Sequence, residues 1–337
     1  MNSSIQNLGR WTATMAGVTL VCFSSGDAAH GGCIRAWGRN DYGQCFVPEG
    51  SDFVAVAGGW QHSLALTADG SIVEWGHDKS VHVEDGPPEG KFTAVAAGYE
   101  HSLALAADGS LVAWGSNASH QCDVPEGNDF VAIACGNYMN LALRSDGSLV
   151  GWGESPQVPP GNDFVAIATG AFNGFGLQAD GSLAAAGPNY LGACDVPPGN
   201  NFTAVAAGIG SSHGLAIRAD GSLAAWGRNN DGQCDAPPGN DFAAVAGGSR
   251  FSLALRDDGS LAAWGVNDQG QCEVPLGNRF VAIACGASHA MAIEVPEPAT
   301  WCGALALVPV GLVWARRRIR LLPGKRNLSG RSRVEIL

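Results

Sequence analysis

The stretch His101–Gly115 reads HSLALAADGSLVAWG, and it occurs twice more with few changes, at His62–Gly76 and Phe251–Gly265. Each copy holds two short apolar runs with an Asp-Gly turn between them. Glycine accepts the positive φ that a tight turn requires, so Asp-Gly between apolar runs indicates a β-hairpin. The sequence therefore predicts a chain built from repeated antiparallel hairpins.

A Trp-Gly pair sets the period of the repeat. It recurs at steps of 38, 39, 38, 34, 40 and 38 residues, at Trp37, Trp75, Trp114, Trp152, Ala186 (where Ala replaces Trp), Trp226 and Trp264. A period near forty residues with several short strands is typical of propeller blades.

Both faces of these strands are apolar. In FVAIA, Phe130 and Ala132 are expected on one face, and Val131 and Ile133 on the other. Blades stacked around an axis bury both faces, whereas a sheet with one wet face alternates apolar with polar residues. A β-solenoid is the alternative, but the Asp-Gly hairpins favour antiparallel blades.

The repeat begins and ends in the middle of a unit. CIRAWG (Cys33–Gly38) is the end of one unit and HAMAIEV (His289–Val295) is the beginning of another. Joining them in one blade would close the ring and remove its free edges. We therefore predict an all-β fold, a seven-bladed β-propeller over residues 30–294 closed by a composite blade of N- and C-terminal strands.

These units resemble the regulator-of-chromosome-condensation repeat in its compact bacterial form. The resemblance rests on GYEHSLALAADGSLVAWGSN and GRNNDGQCDAPPG and covers residues 33–294. It implies a seven-bladed propeller that contacts other proteins. The eukaryotic founder of that family is a nucleotide-exchange factor that also binds chromatin. No motif here maps onto its functional residues, so an exchange-factor-like activity is only a remote alternative.

The charge is unevenly distributed along the chain. Residues 30–294 hold ten Lys and Arg against 28 Asp and Glu, while the residues from Val295 onward hold eight against two. A strongly acidic body repels phosphate backbones. We therefore expect no nucleic-acid partner.

The C-terminal region resembles a PEP-CTERM sorting signal over residues 295–320. Pro296, Glu297 and Pro298 precede an apolar segment at 299–315, long enough for a short transmembrane helix. A basic cluster follows at Arg316, Arg317, Arg318 and Arg320 and is expected to stay cytoplasmic. The resemblance implies an inner-membrane intermediate, processing by an exosortase, and delivery to the cell surface or extracellular matrix. Residues 321–337 form a basic tail.

Export also requires an N-terminal signal. Residues 1–29 contain Arg10, an apolar core from Trp11 to Phe23, and small residues around Ala28. This order predicts a signal peptide.

The loops between the first and second apolar runs vary from unit to unit. Four of them, in consecutive units, carry an aromatic residue: Trp60, Tyr99, Tyr138 and Phe172. Aromatic clusters suit protein recognition, and they also stack on sugars, so a surface or matrix protein and a polysaccharide are both candidate partners. The loops after the Trp-Gly pair are the alternative binding rim, and packing under loop backbone is the alternative role of the rings.

One loop differs in sequence from the equivalent loops of the other units. HDKSVHVEDG (residues 77–86) brings His77, Asp78 and His82 close to Glu84 and Asp85. Imidazole and carboxylate groups suit a divalent cation, and His120 in the next unit is a further candidate ligand. A metal site, or a metal-dependent enzyme built on it, is the alternative to a solvated polar loop.

Histidine and cysteine occupy repeated positions. The position of His62 and His101 holds Met139 and Phe251 in other units, which indicates packing rather than catalysis. Five cysteines share one repeat position and would lie too far apart to form disulfides with one another. Neither a nucleophile motif nor a phosphate loop is visible. We interpret the chain as a non-catalytic binding module without a cofactor.

Overall fold

The computed structural model describes residues 11–15, 18–22, 31–76, 87–210 and 212–296. Within these ranges the chain forms seven antiparallel sheets. Two N-terminal strands, β1 (Trp11–Met15) and β2 (Val18–Cys22), pair with each other. The signal peptide expected over residues 1–29 stays a prediction.

The composite blade predicted from the two half-units is present. Blade 1 consists of β22 (Phe280–Cys285), β23 (His289–Glu294) and β3 (Cys33–Gly38). The first and last strands of the repeat region pair directly, from His289 with Gly38 to Glu294 with Cys33. On the other side of this sheet, β2 pairs with β22 at Thr19 and Leu20.

Each of the other six blades has three consecutive strands. Blades 2 to 4 are β4 (Phe53–Gly58), β5 (His62–Thr67), β6 (Ile72–Gly76); β7 (Phe92–Ala97), β8 (His101–Ala106), β9 (Leu111–Gly115); and β10 (Phe130–Cys135), β11 (Met139–Arg144), β12 (Leu149–Gly153). Blades 5 to 7 are β13 (Phe164–Thr169), β14 (Gly174–Gln178), β15 (Leu183–Ala186); β16 (Phe202–Ala207), β17 (His213–Arg218), β18 (Leu223–Gly227); and β19 (Phe242–Gly247), β20 (Phe251–Arg256), β21 (Leu261–Gly265).

The blades close into a ring. The first strand of each blade contacts the first strand of the next, and β22 of blade 1 contacts both β19 and β4. The apolar core lies between the blades, because each buried cluster draws on two neighbouring sheets. At the boundary of blades 3 and 4, for example, Leu103 and Leu105 pack with Phe130, Ile133 and Trp152.

A β-bulge in the first strand of each blade makes the observed burial differ from the prediction. Phe130 pairs with Arg144 and Ala132 with Leu143, so Val131 is skipped in the register. The same irregularity follows the initial Phe in every blade. The bulge turns the extra residue away from the neighbouring blade, and Val131 is 42% exposed instead of buried. Ile133 is buried as predicted.

Candidate functional site

The hairpins and the segments after the Trp-Gly pair lie on the same rim of the ring. The first residue of each second strand pairs with the last residue of the third, as His101 does with Gly115. The Ser116 N–H then donates to the Glu100 carbonyl at 2.8 Å. The prediction of two alternative rims is therefore wrong, since both sets of loops form one surface, here called the aromatic rim. The opposite edge, made by the Asp-Gly turns, is called the Asp-Gly rim.

Three of the four predicted aromatic residues are in ring contact. The Trp60 and Tyr99 rings stack with centroids 4.5 Å apart at 29°, and the Tyr99 and Tyr138 rings are 5.6 Å apart at 39°. All three are half-buried, whereas Phe172 on the next blade is 49% exposed. Partial burial, with Tyr138 and Glu100 nearby, raises the pKa of Tyr99.

The stack begins at a loop from another part of the ring. A Cβ on Gly210, in blade 6, would lie 2.7 Å from Cζ3 of Trp60, so the two touch. The Gly210 N–H donates to Oδ1 of Asn137 at 3.0 Å, and the Ser249 hydroxyl donates to the Gly210 carbonyl at 3.3 Å. Glycine is required here because φ is +72° and the ring leaves no space.

The central channel offers little room for a ligand. Small residues of the first strands line it, among them Ala57, Ala96, Ala134 and Ala168, together with Ile209. Its cavity has a volume of about 40 Å³, against several hundred for a small-molecule pocket. The candidate site is therefore the surface of the aromatic rim.

Four buried histidines brace the blades beneath this rim. Each Nε2 is within hydrogen-bond distance of a side chain in the next blade: His62 with Ser102 (3.0 Å), His101 with Asn140 (2.7 Å), His213 with Ser252 (3.1 Å) and His289 with Ser63 (2.9 Å). We call these pairs clasps. They cross the boundaries between blades 1 and 2, 2 and 3, 3 and 4, and 6 and 7.

The clasps assign the histidines a structural role. The Ser63 hydroxyl donates onward to the Gln44 carbonyl at 3.1 Å, and the Asn140 amide donates to the Gln121 carbonyl at 2.8 Å. The Ser252 hydroxyl likewise donates to the Gln233 carbonyl at 2.9 Å. In these three clasps the acceptor needs a donor from the imidazole, which fixes the proton on Nε2. Burial lowers the pKa of His101, His213 and His289 to about 4. The interpretation of these histidines as packed inside the blades is confirmed.

The two halves of each clasp vary together along the chain, which the sequence analysis missed. Where the histidine position holds another residue, the partner position in the next blade is Gly or Ala: Met139 with Gly174, Asn173 with Gly214, Phe251 with Ala290. Comparing positions one unit plus one residue apart would have shown this coupling. The clasps also explain a repeated glycine, because a Cβ on Gly98 would lie 2.3 Å from Cε1 of His101.

Blade 5 adds two exposed apolar residues that the sequence analysis missed. Tyr190 is 69% and Leu191 59% exposed, in a short 3-10 turn over Tyr190–Gly192. The Asn173 amide donates to the Pro188 carbonyl at 2.8 Å, which holds this turn beside Phe172. The signal was present in the sequence, because the corresponding residues in blade 6 are Asn230 and Asp231.

The charges on the rim are divided between two arcs. Among described rim residues of blades 2 to 5 there are carboxylates, such as Glu100 and Glu154, but neither Lys nor Arg. The rim arginines belong to blades 1, 6 and 7 and lie beside carboxylates. Arg39 pairs with Asp41 at 2.7 Å and Arg250 with Asp268 at 3.1 Å.

The cysteines of the shared position are protonated thiols. The Cys45 N–H donates to Oδ1 of Asn40 at 2.8 Å, and its Sγ donates to the Arg39 carbonyl at 3.3 Å. Cys122, Cys234 and Cys272 repeat this arrangement. Burial raises the pKa of these four thiols to about 11, which removes the nucleophilic thiolate.

Several predicted residues lie outside the described ranges. These are His77, Asp78 and His82 of the candidate metal loop, Glu297 and Pro298 of the sorting motif, and the apolar segment with Arg316, Arg317 and Arg318. Pro296 is described and follows β23 by two residues. His120 lies 2.8 Å from Asp123 on the surface.

Two negative findings concern only the residues that the structure describes. No group of three or more His, Cys, Asp or Glu side chains is arranged to hold a metal ion there. Nor does that part of the chain contain a helix with the length and hydropathy to cross a membrane.

Comparisons with known proteins identify the repeat and the fold. The model of the Regulator of chromosome condensation (RCC1) repeat matches residues 92–121, 130–156, 202–233 and 242–271. Prp20p from Saccharomyces cerevisiae, in a study of its binding to Gsp1p and histones, superposes with a TM-score of 0.68 at 19% identity, over 80% of this chain and 93% of that one. Four stretches of the chain thus match the RCC1 repeat, and the fold is that of RCC1-type β-propellers.

Two further structures share the fold. Human WBSCR16 superposes with a TM-score of 0.62 at 18% identity, over 78% of this chain and 98% of that one. The ectodomain of the Arabidopsis thaliana receptor kinase ACR4 gives 0.60 at 21% identity, over 80% and 100%. No curated protein sequence matches the chain.

Proposed function

We propose that this propeller is a non-catalytic module that recognises another protein through its aromatic rim. The observation that carries the proposal is the stack of Trp60, Tyr99 and Tyr138, continued by Phe172 and the exposed turn of blade 5. Half-buried Trp and Tyr rings held rigidly at a surface are typical of the residues that dominate protein-binding energy. Prp20p, which shares the fold, also has protein partners.

The stacking geometry favours a protein over a polysaccharide. A sugar ring binds by lying on the free face of an aromatic side chain. Tyr99 has a ring neighbour on both sides, at 4.5 and 5.6 Å, so its faces are already used. Edges of stacked rings suit the irregular, partly polar surface of a protein. Polysaccharide binding in the matrix remains the second candidate, carried by the exposed ring of Phe172.

We further propose that the module works outside the cell. The support lies in the sequence: the order of Arg10, an apolar core and small residues within 1–29, which predicts a signal peptide, the motif Pro296 to Pro298, an apolar segment at 299–315 and the arginines that follow. In this proposal the span holds the protein in the inner membrane until an exosortase processes it. The propeller then reaches the cell surface or the extracellular matrix.

A capture experiment tests the proposed function. The native chain and a variant with Trp60, Tyr99, Tyr138 and Phe172 changed to Ala would be used as baits against envelope and matrix extract of the source organism. Bound material would be analysed for protein and for carbohydrate. We expect a protein retained only by the native bait. Retention of glycan alone would identify a matrix lectin, and equal retention by both folded baits would exclude the aromatic rim.

A further inference from the structure

The N-terminal hairpin of β1 and β2 lies at the central channel of the ring. β2 pairs antiparallel with β22, with Leu20 opposite Ala282. Because β22 is the first strand of blade 1 and its other edge pairs with β23, this pairing uses the edge that faces the channel. β2 also contacts the first strands of blades 2 and 7, and β1 contacts that of blade 5, on the far side of the ring. The hairpin therefore extends from blade 1 into the channel.

The burial of the bulged residues follows the path of β2. Every first strand has one such residue after its initial Phe, near the Asp-Gly rim, so the seven residues surround one mouth of the channel. In blades 1, 2 and 7, whose first strands contact β2, the bulged residue is partly buried: Val281, Val54 and Ala243. In blades 3 to 6 it is exposed: Thr93, Val131, Val165 and Thr203. The hairpin therefore lies against one side of this mouth.

The pairing with β22 is a backbone contact and does not require a particular side-chain sequence. A strand edge carries unpaired N–H and C=O groups that an extended segment can bind, as in peptide recognition by strand addition. The residues that line the described cavity of the channel are Ala, Gly, Val, Ile, Thr and Cys, none of them charged. This environment suits an extended apolar segment rich in β-branched residues, and VTLVC at 18–22 has that composition.

The N-terminal hairpin is also the part of the chain that processing would remove. With the hairpin in place, the cavity of the channel has a volume of only about 40 Å³. The proposed signal peptide covers residues 1–29 and so includes both strands. Cleavage after this segment would leave the channel-facing edge of β22 without a partner strand.

We propose that, in the processed protein, the channel-facing edge of β22 binds an extended apolar segment of a partner protein in the place of residues 18–22. The chain's own hairpin provides the pattern of backbone pairing, and the apolar lining selects against charged peptides and sugars. This site is separate from the aromatic rim. The inference rests on the removal of the N-terminal segment, which is part of the proposed function.

An engineered cut in the full chain tests the inference without relying on export. A site-specific protease sequence is inserted between Gly26 and Asp27, in the connection from β2 to β3, and the chain is cut after folding. The probe is a fluorescent peptide of residues 9–24 in reducing buffer. We expect the peptide to replace the cut fragment and raise the anisotropy. Its binding to the cut chain should be about tenfold tighter than to the uncut chain, where the tethered hairpin competes.

Three outcomes of the cut would overturn the inference. Equal binding of the peptide to the cut and uncut chains would show that it binds elsewhere. A fragment that stays bound until the propeller unfolds, without replacement by the peptide, would show that β2 is a permanent strand of blade 1. A fragment that leaves a folded chain to which the peptide does not bind would show that the edge of β22 is not a docking site.

Peptide variants and hydrogen exchange identify the site. Leu20→Pro in the peptide interrupts the strand opposite Ala282 and should weaken binding about tenfold, whereas Leu20→Val keeps an apolar strand former and should stay within about threefold. Bound peptide should protect residues 281–284 and leave residues 98–100 on the aromatic rim unchanged. Equal affinity of the two variants, or protection of the aromatic rim instead, would contradict the inference. If capture through the aromatic rim succeeds while the peptide does not bind, this inference fails and the proposed function stands.

Discussion

Blades 2 to 4 and blade 5 present aromatic residues on the same rim in opposite ways. In blades 2 to 4 the rings of Trp60, Tyr99 and Tyr138 are half-buried and stacked on each other. In blade 5 the rings of Phe172 and Tyr190 are exposed. The difference follows the clasps, which cross every boundary from blade 1 to blade 4 and are missing on both sides of blade 5.

The absence of a clasp between blades 4 and 5 has a structural cause. The connection before blade 5 is short, and a Cβ on Gly174 would lie 2.1 Å from the Gln157 carbonyl oxygen. That carbonyl therefore fills the place that the acceptor side chain has in blades 2 to 4, and Met139 occupies the histidine position of blade 4. Buried side-chain pairs thus join blades 1 to 4 beneath the stacked rings, whereas neither boundary of blade 5 has such a pair.

Among the predictions, acidification should cause the largest loss in the free energy of unfolding, because it protonates the buried histidines of the clasps. Unfolded histidine titrates near 6.5, while the pKa of His101, His213 and His289 is about 4 in the fold. The unfolded chain binds more protons between these values, so the free energy of unfolding is highest above pH 6.5 and falls as pH decreases towards 4. Each histidine contributes up to about 3 kcal/mol. Urea unfolding at pH 7.5, 5.5 and 4.5 measures the loss.

A paired substitution assigns that loss to the clasps. His213→Phe with Ser252→Ala removes one clasp and should reduce by about a third the pH dependence contributed by His101, His213 and His289, since one of these three titrations is gone. A free energy of unfolding that stays constant from pH 7.5 to 4.5 would contradict the account.

Removing one clasp by substitution should lower the free energy of unfolding by less than acidification does. Ser63→Ala leaves the buried Nε2–H of His289 without an acceptor, which costs about 1–3 kcal/mol. Adding His289→Phe converts this boundary to the pair found between blades 7 and 1, Phe251 with Ala290. Because the Gln44 carbonyl keeps the Trp75 indole as donor, we expect the double variant to recover most of the loss. Additive losses in urea unfolding would show that the two boundaries are not equivalent.

The rim residues should show the smallest effects on stability. Tyr99→Ala removes two ring contacts and should cost about 1–2 kcal/mol. Phe172→Ser, at an exposed position, should stay within about 0.5 kcal/mol. Both substitutions should weaken partner capture. A loss of stability in Phe172→Ser equal to that in Tyr99→Ala would remove the distinction between the two regions.

The fold was largely predictable because the same pattern of apolar runs and Asp-Gly turns recurs in successive units. The Trp-Gly period and the half-units at Cys33–Gly38 and His289–Val295 led to the ring and its composite blade. The bulge after each initial Phe was not predictable from alternation, because one extra residue leaves the apolar pattern intact while it turns Val131 to solvent.

The site was only partly predictable. Variation between units singled out Trp60, Tyr99 and Tyr138, but their mutual stacking depends on side-chain geometry that no period encodes. Tyr190 and Leu191 were missed because only the loops between the first and second apolar runs were compared for aromatic residues, and the rim that they share with Phe172 follows from the strand directions. The clasps were missed because each links two blades, whereas the alignment compared like positions.

The footprint of the captured partner tests the central claim most directly. Hydrogen exchange of the full chain would be compared with and without that partner. The account predicts protection of residues 59–61, 98–100, 136–138 and 187–192 on the aromatic rim, with the Asp-Gly turns at 107–110 and 145–148 unchanged. Protection of the Asp-Gly turns with the aromatic rim unchanged would contradict it.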